Sequence, residues 1–346
     1  MFFFVGSYTN EGSPAPEPKG KGISSCFFDP FNGSITILDN YFYRNPSYPV
    51  ISDDGTTLYV AEEMFAIENP LLVAYRIQED GSLNKLNEMP LNGDYACHLA
   101  IVSQTILVAN YVSSDILVYA LEKDGRIGAL VQHIQHHGSG INLQRQEAPH
   151  PHMVYPLNDE TVYCIDLGID KAKAYRNNKA ARQWEAFTEM DITVKEGAGA
   201  RHIDMDKDKK WMVLIGELTG ELFLFKKKEQ HFHLVDSVNL GSGEMSAAAI
   251  QIHANERFVY CSERKTNSIH AFEITNNHLR SVGVYYSGGS TPRDIAIAPG
   301  GNWLLAANQD DNSIAVFSIT DTGELEMTHT YPIATPSSIC WQTAVY

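Results

Sequence analysis

Six polar residues stand where an apolar run of this chain begins or ends: His98, His152, Arg201, Glu217, Arg264 and Arg293. Arginine grips phosphate or carboxylate through paired N–H groups. Histidine and glutamate move protons near neutral pH when their surroundings tune them. Together they could open an ester-like bond, with a base for water, a cation for the developing oxyanion and further cations for a charged substrate. The chain carries 42 acidic against 26 basic residues, a net charge of -16, so a gathering of arginines reads as an anion pocket. Gln309 and Arg145 join His98 as further substrate-binding candidates. Arg145 lies in the long connection from His136 to His152, and long irregular connections often carry function. A plainer reading stands beside this one: each histidine alone could be a satisfied structural residue, and Glu217 could simply pair with Arg201.

Other chemistries fit less well. His133, His136, His137, His150 and His152 lack structural-zinc spacing, and strand alternation would split them, so no metal is expected. Gly138-Ser139-Gly140 and Gly241-Ser242-Gly243 lack the surroundings of a nucleophile elbow and read as turns. No organic cofactor is required.

These residues are far apart in sequence, and a repeat must bring them together. One unit recurs: a short strand, a turn, an apolar strand ending in small or polar residues, then a third and a fourth strand. It is clearest at Arg293–Ile297, Trp303–Ala307, Ser313–Phe317 and Leu325–Tyr331. Asn32-Gly33, Asp54-Gly55, Asp80-Gly81 and Asp124-Gly125 fall where hairpins need them. The period is roughly 44 to 54 residues, that of a four-stranded propeller blade. Six blades fit between about residue 48 and residue 331. Three strands remain before them, near Phe2–Tyr8, Gly22–Phe28 and Ile35–Phe42, and one after them, near Ser338–Cys340. Joined, they make a seventh blade that closes the ring. The sequence therefore predicts an all-β, seven-bladed β-propeller over 1–346 as one domain, with 171–200 its least regular stretch. In such a blade the first strand starts, and the second ends, at the same face. His98, His152, Arg201-His202 and Arg293 then share one channel mouth with Tyr8, Glu63, Tyr111, Glu217, Arg264 and Gln309.

The remaining composition narrows the function. A strongly acidic chain disfavours nucleic acid. No run reaches the length of a membrane span. The opening Met1–Val5 lacks the basic leader of a signal peptide. Five scattered cysteines, Cys26, Cys97, Cys164, Cys261 and Cys340, fit reduced thiols and a cytoplasmic location. Nothing in the sequence names a protein partner.

The chain resembles the seven-bladed-propeller lactonase family, which includes bacterial 6-phosphogluconolactonases and fungal carboxymuconate lactonising enzymes. The likeness runs from Val5-Gly6-Ser7-Tyr8-Thr9 through Val108-Ala109-Asn110-Tyr111, Arg145-Gln146-Glu147, Pro149-His150 and His152. It continues through Gly199-Ala200-Arg201-His202 and Gly216-Glu217-Leu218 to Thr291-Pro292-Arg293-Asp294 and Ala307-Asn308-Gln309-Asp310. It implies that His152, Arg201, Glu217 and Arg264 match the cluster proposed as the active site in the fungal members. Departures occur at Ala200 and Ile141, where proline is usual, and at Gly216, Glu62 and Glu263, where asparagine is usual. The resemblance implies hydrolysis of a sugar lactone, 6-phosphogluconolactone, within the pentose phosphate pathway. His152 or Glu217 would be the base and Arg201 the oxyanion contact, while Arg264 and Arg293 hold the substrate's anion. The alternatives are a muconate-type lactonising cycloisomerase and a non-catalytic propeller scaffold.

Overall fold

A computed structural model describes residues 1–181 and 183–342; Arg182 and residues 343–346 of the expected 1–346 domain lie outside them. Among the described residues, regular structure is β-strand apart from three short 3-10 turns. The strands form seven antiparallel sheets arranged as blades. The first blade runs Val50–Ile51, Thr57–Ala61, Leu71–Ile77 and Leu83–Pro90, from the channel outward. Its innermost strand is only two residues long, because Pro46 and Pro49 withhold the amide donors that would extend it. The later blades start at Ala96–Val102, Pro151–Asn158, Ala200–Met205, Ala247–Ile252 and Pro292–Ile297. The seventh takes Pro336–Trp341 as its innermost strand and Phe2–Ser7, Ile23–Asp29 and Ser34–Tyr41 as the rest. Val5 faces Ile339 across that pair, so both ends of the chain share one blade, as the repeat predicts. The irregular stretch also appears where expected: the third blade has a four-residue outer strand, Gln183–Ala186, and a two-residue extra strand, Ile192–Thr193.

The second strand of a blade is covered on both faces by its neighbours and reads as a continuous apolar run, as in Trp211–Gly216. The fourth strand lies at the rim and leaves all but its first residue at least partly exposed, as in Leu83–Pro90. Apolar burial, at roughly 25 cal/mol per Å2, drives the packing of blade on blade. The core therefore falls into seven clusters, one at each blade–blade interface. Phe4 and Ile23 of the closing blade meet Leu58 and Val60 of the first. Phe3, Val5 and Phe28 meet Leu305 and Val316 of the sixth.

Two features of the innermost strands prepare the channel. The first is a register break where the strand begins. It skips Cys97, His152, Arg201 and Arg293, and a two-residue break skips Ala248 and Ala249. A bulge bends its strand and re-aims the extra residue, here at the same level in successive blades. The second is the strand edge that faces the channel, whose amides have no partner strand. Side chains of the preceding blade accept from them: Asp204 from Ile252 at 2.7 Å, Gln251 from Ile297 at 2.7 Å and Asp294 from Ile339 at 2.8 Å. Burial pushes the carboxyl of Asp294 up to about 7 and that of Asp204 up to about 6, despite these amides.

Closure by the last strand carries a stability cost that can be measured. A chain ending before Pro336 leaves Phe2–Ser7 as an open strand edge and uncovers Phe3 and Phe28. Such a chain is expected to melt about 7 °C lower, since loss of roughly 5 kcal/mol shifts the midpoint of a chain this long by about 1.4 °C per kcal/mol. It should also aggregate at its new edge. Thermal unfolding with light scattering checks this, and an unchanged melting curve contradicts closure through this blade.

Candidate active site at the channel mouth

The second strand of every blade ends at the mouth, and the chain leaves it in the same way each time. The exit residues are Tyr8, Glu63, Tyr111, Leu167, Glu217, Arg264 and Gln309. Each donates its amide to a carbonyl just before the innermost strand, as Glu217 does to Gly199 and Arg264 to Ser246. One backbone geometry thus presents seven side chains around a ring. The residue before each exit often caps the turn. Asn110 and Asn308 donate to Asp115 and to the Ser287 carbonyl. Glu62 and Glu263 accept from the amides of Leu71, at 3.0 Å, and Ser246, at 2.6 Å. The glutamates that replace the usual asparagine therefore hold local backbone. Gly216 is required by space, since a Cβ there would lie 2.8 Å from the Ala198 carbonyl oxygen.

Glu217 is the centre of the site. Arg201 donates from Nε to its Oε2 at 2.9 Å, and Arg145 donates from Nη2 to its Oε1 at 2.7 Å. Arg264 Nη2 lies 2.9 Å from Oε2 as an ion pair, off the line of a hydrogen bond. Burial favours the neutral acid, but Arg264, Arg201 and Arg145 together outweigh it and hold the Glu217 carboxyl well below the usual carboxylate range. Glu217 is therefore ionised and a poor proton acceptor. Arg201 is buried and pushed down to about 10 by burial and by its cationic neighbours, and it remains charged at neutral pH. Its Nη1 donates to the Ala248 carbonyl at 2.6 Å. Arg293 differs from the other three. It lies 5.1 Å over the Tyr8 ring, and among the described residues no carboxylate lies within ion-pair distance of it.

The imidazoles line the channel beside and beneath this cluster. His152 is buried, edge-on to Tyr111 at 5.7 Å and to His202 at 5.1 Å, with no hydrogen-bond partner for Nδ1. Burial, then Arg201, Arg293 and Arg264, hold its pKa well below the usual histidine value, so the ring is neutral. Cys97 is also buried here, and burial pushes its thiol far up, which makes it inert as a nucleophile. The long connection is firmly built. Gln146, fully buried, donates to Leu167 and Asp170, and His136 is held between Asp166 at 2.6 Å and Tyr175 at 2.9 Å. His150 stacks on Tyr111 at 4.3 Å. These contacts fix the segment that carries Arg145 over the mouth.

Arg145, His152, Glu217, Arg264 and Arg293 line one cavity of about 260 Å3. Arg201 lies directly beneath, on the wall of a narrower cavity that shares His152 and Arg293. Two expected residues stand elsewhere. His98 is one position past its bulge, packed at a tilt against Tyr48 at 4.1 Å, and lines neither cavity. Gln309 is buried with its amide turned to Asp310 at 2.8 Å and lines neither cavity. Cavity residues not singled out from sequence are Cys97, Tyr95, Val112 and Pro14. Cys97 could have been found by aligning Ala96-Cys97 with Pro151-His152, whereas Pro14 sits in an irregular loop with no repeat to place it. The dispersed histidines have separate structural partners: His133 pairs with Asp115 at 2.8 Å, and His150 bonds the Tyr111 carbonyl at 2.8 Å.

Comparison with known proteins agrees with this architecture. The family described as "Lactonase, 7-bladed beta-propeller" matches residues 2–342. A 6-phosphogluconolactonase of Bacillus subtilis is 28% identical over 352 residues, covering 97% of this chain and 96% of that protein. One from Formosa agariphila is 28% identical over 337 residues, covering 93% and 94%. The solved periplasmic gluconolactonase of Pseudomonas aeruginosa superposes with a TM-score of 0.89 at 25% identity, covering 98% of each chain. With a match that spans nearly its whole length and a ring closed by both of its ends, this chain belongs to the seven-bladed β-propeller lactonase family.

Proposed function

We propose that this protein hydrolyses a phosphorylated sugar lactone, 6-phosphogluconolactone, at the channel mouth. The observation that carries the proposal is the arrangement of four guanidinium groups and a neutral imidazole around a mouth cavity of about 260 Å3. Three of the guanidiniums share one carboxylate and so keep N–H capacity for a substrate, while among the described residues no carboxylate lies within ion-pair distance of Arg293. This is an environment for a small anion whose reacting carbon develops negative charge.

In the proposed reaction, water adds through its oxygen to the lactone carbonyl carbon. His152 accepts the proton that water gives up. The carbonyl oxygen becomes the oxyanion and is held by Arg201. The tetrahedral carbon then expels the ring oxygen, which takes the proton from His152 and becomes a hydroxyl of the same, now open-chain molecule, while the new carboxylic acid releases its remaining proton to solvent and becomes a carboxylate. His152 is the better base of the two candidates, because Glu217 is stabilised as an anion by three cations. The field that keeps His152 neutral weakens as the oxyanion forms and neutralises part of the arginine charge, so the imidazole gains basicity when it needs it. Glu217 acts by positioning Arg145, Arg201 and Arg264. Arg293, with Arg264, takes the phosphate. No step requires a cofactor. The five cysteines are free thiols, which fits the cytoplasm as the place of action.

Two measurements test this reading. Arg201→Ala should lower kcat by about 100-fold, the effect of losing one oxyanion contact. Arg293→Ala should mainly raise KM for 6-phosphogluconolactone, by about tenfold or more, and barely affect the unphosphorylated lactone. Steady-state kinetics on both substrates, corrected for spontaneous hydrolysis, decides it. Equal and substrate-independent losses would point to a structural role for both arginines. The second measurement is the pH profile of kcat/KM. A base must be unprotonated to act, and His152 is held well below the ordinary value of 6.5, so activity should stay level from pH 7.5 down to pH 6. A fall centred near pH 6.5 would mean that the base is an ordinary exposed histidine.

A further inference from the structure

The mouth contains a second carboxylate that the reaction above does not use. Glu63 is buried and occupies the same exit position in the first blade that Glu217 occupies in the fourth. The two are treated in opposite ways. Glu217 is surrounded by three guanidiniums, whereas among the described residues no basic group lies within ion-pair distance of Glu63. Glu63 is fixed by one neutral donor, the Tyr8 hydroxyl, at 2.7 Å to Oε2. Among the described residues none donates a hydrogen bond to its Oε1. The residue lines both the mouth cavity and the narrower cavity beneath. A carboxylate that lines a cavity with one oxygen free of protein donors is open to a donor from a ligand.

We infer that Glu63 is a specificity residue that accepts hydrogen bonds from the hydroxyl groups of a polyol lactone and rejects lactones that carry a carboxylate in their place. The inference rests on the lactonase reading of the site. The mouth is then two-sided. Arg264 and Arg293 offer donors to an anion, and Glu63 offers an acceptor. Tyr8 connects the sides, since its ring lies under Arg293 and its hydroxyl orients Glu63. A sugar phosphate has an anion at one end and hydroxyls along its ring, and it suits both sides. A muconate-derived lactone carries carboxylates but no ring hydroxyls, and one of its anions would meet Glu63. Charge-assisted acceptance of a hydroxyl and repulsion of a like charge both favour the polyol.

The test is Glu63→Gln, which keeps the side-chain shape and an oxygen for Tyr8. Wild type and variant are assayed on 6-phosphogluconolactone, with 3-carboxymuconolactone as competing inhibitor, and thermal unfolding confirms that the variant is folded. The expected result is a KM raised by about tenfold or more with kcat within about threefold, since a ground-state contact is lost. Inhibition by the dicarboxylate should become about tenfold tighter, because the repelling charge is gone. An active wild type whose variant changes neither constant overturns the role of Glu63 and leaves the lactonase reading intact. A loss of kcat at unchanged KM also overturns it, by making Glu63 part of the proton chemistry. A wild type that does not accelerate hydrolysis overturns the lactonase reading itself, and this inference with it.

Discussion

Glu217 lies buried at the mouth with three guanidiniums drawn to it, one from the next blade's second strand, one from its own blade's bulge and one from the long connection after the second blade. Cations packed this closely repel one another strongly when they are removed from water. The central carboxylate is what allows them to coexist, and its own pKa records how strongly they hold it. The surplus of positive charge facing the cavity follows from this arrangement, and its arginines add to the burial that keeps His152 neutral. A buried ion cluster contributes little net stability, because desolvation offsets the attraction, so its value lies in a prepared electrostatic field.

The fold supplies what the cluster needs. Seven interface clusters make a rigid ring, and the closing blade ties the first strand to the last. The ring repeats two backbone devices in successive blades, the bulge at the start of the innermost strand and the amide-bonded exit of the second strand. Identical backbone at different angles around an axis lets residues from distant sequence positions meet at one mouth. His152, Arg201 and Arg293 come from the first device, and Glu63, Glu217 and Arg264 from the second.

Much of this was legible in the sequence, because the repeat specifies which positions converge even before it is known how they touch. The ring, its closure through Val5 and Ile339, and the gathering of His152, Arg201, Glu217, Arg264 and Arg293 all follow from strand order, and Arg145 from the long connection that enters the mouth. What stayed hidden depends on single-residue phase and on contacts across the ring. His98 and His152 look equivalent as strand starts, yet a bulge places Cys97, not His98, level with His152. Gln309 occupies a mouth position, but its neighbour Asp310 draws its side chain away. Glu63 and Glu217 share one blade position, and only the cross-ring neighbours decide which is clamped by arginines and which is left with a free oxygen.

If Glu217 holds the cations in place, binding of an anionic product should depend on it even when no chemistry occurs. Calorimetric titration with 6-phosphogluconate and with gluconate, on the wild type and on folded Glu217→Gln, measures that dependence. The expected result is binding of 6-phosphogluconate at least about 100-fold tighter than gluconate, as a dianion held by charge-assisted contacts requires, and loss of most of that preference in the variant. Equal affinity for the two sugars, or a phosphate preference that survives Glu217→Gln intact, would contradict a mouth organised around this carboxylate.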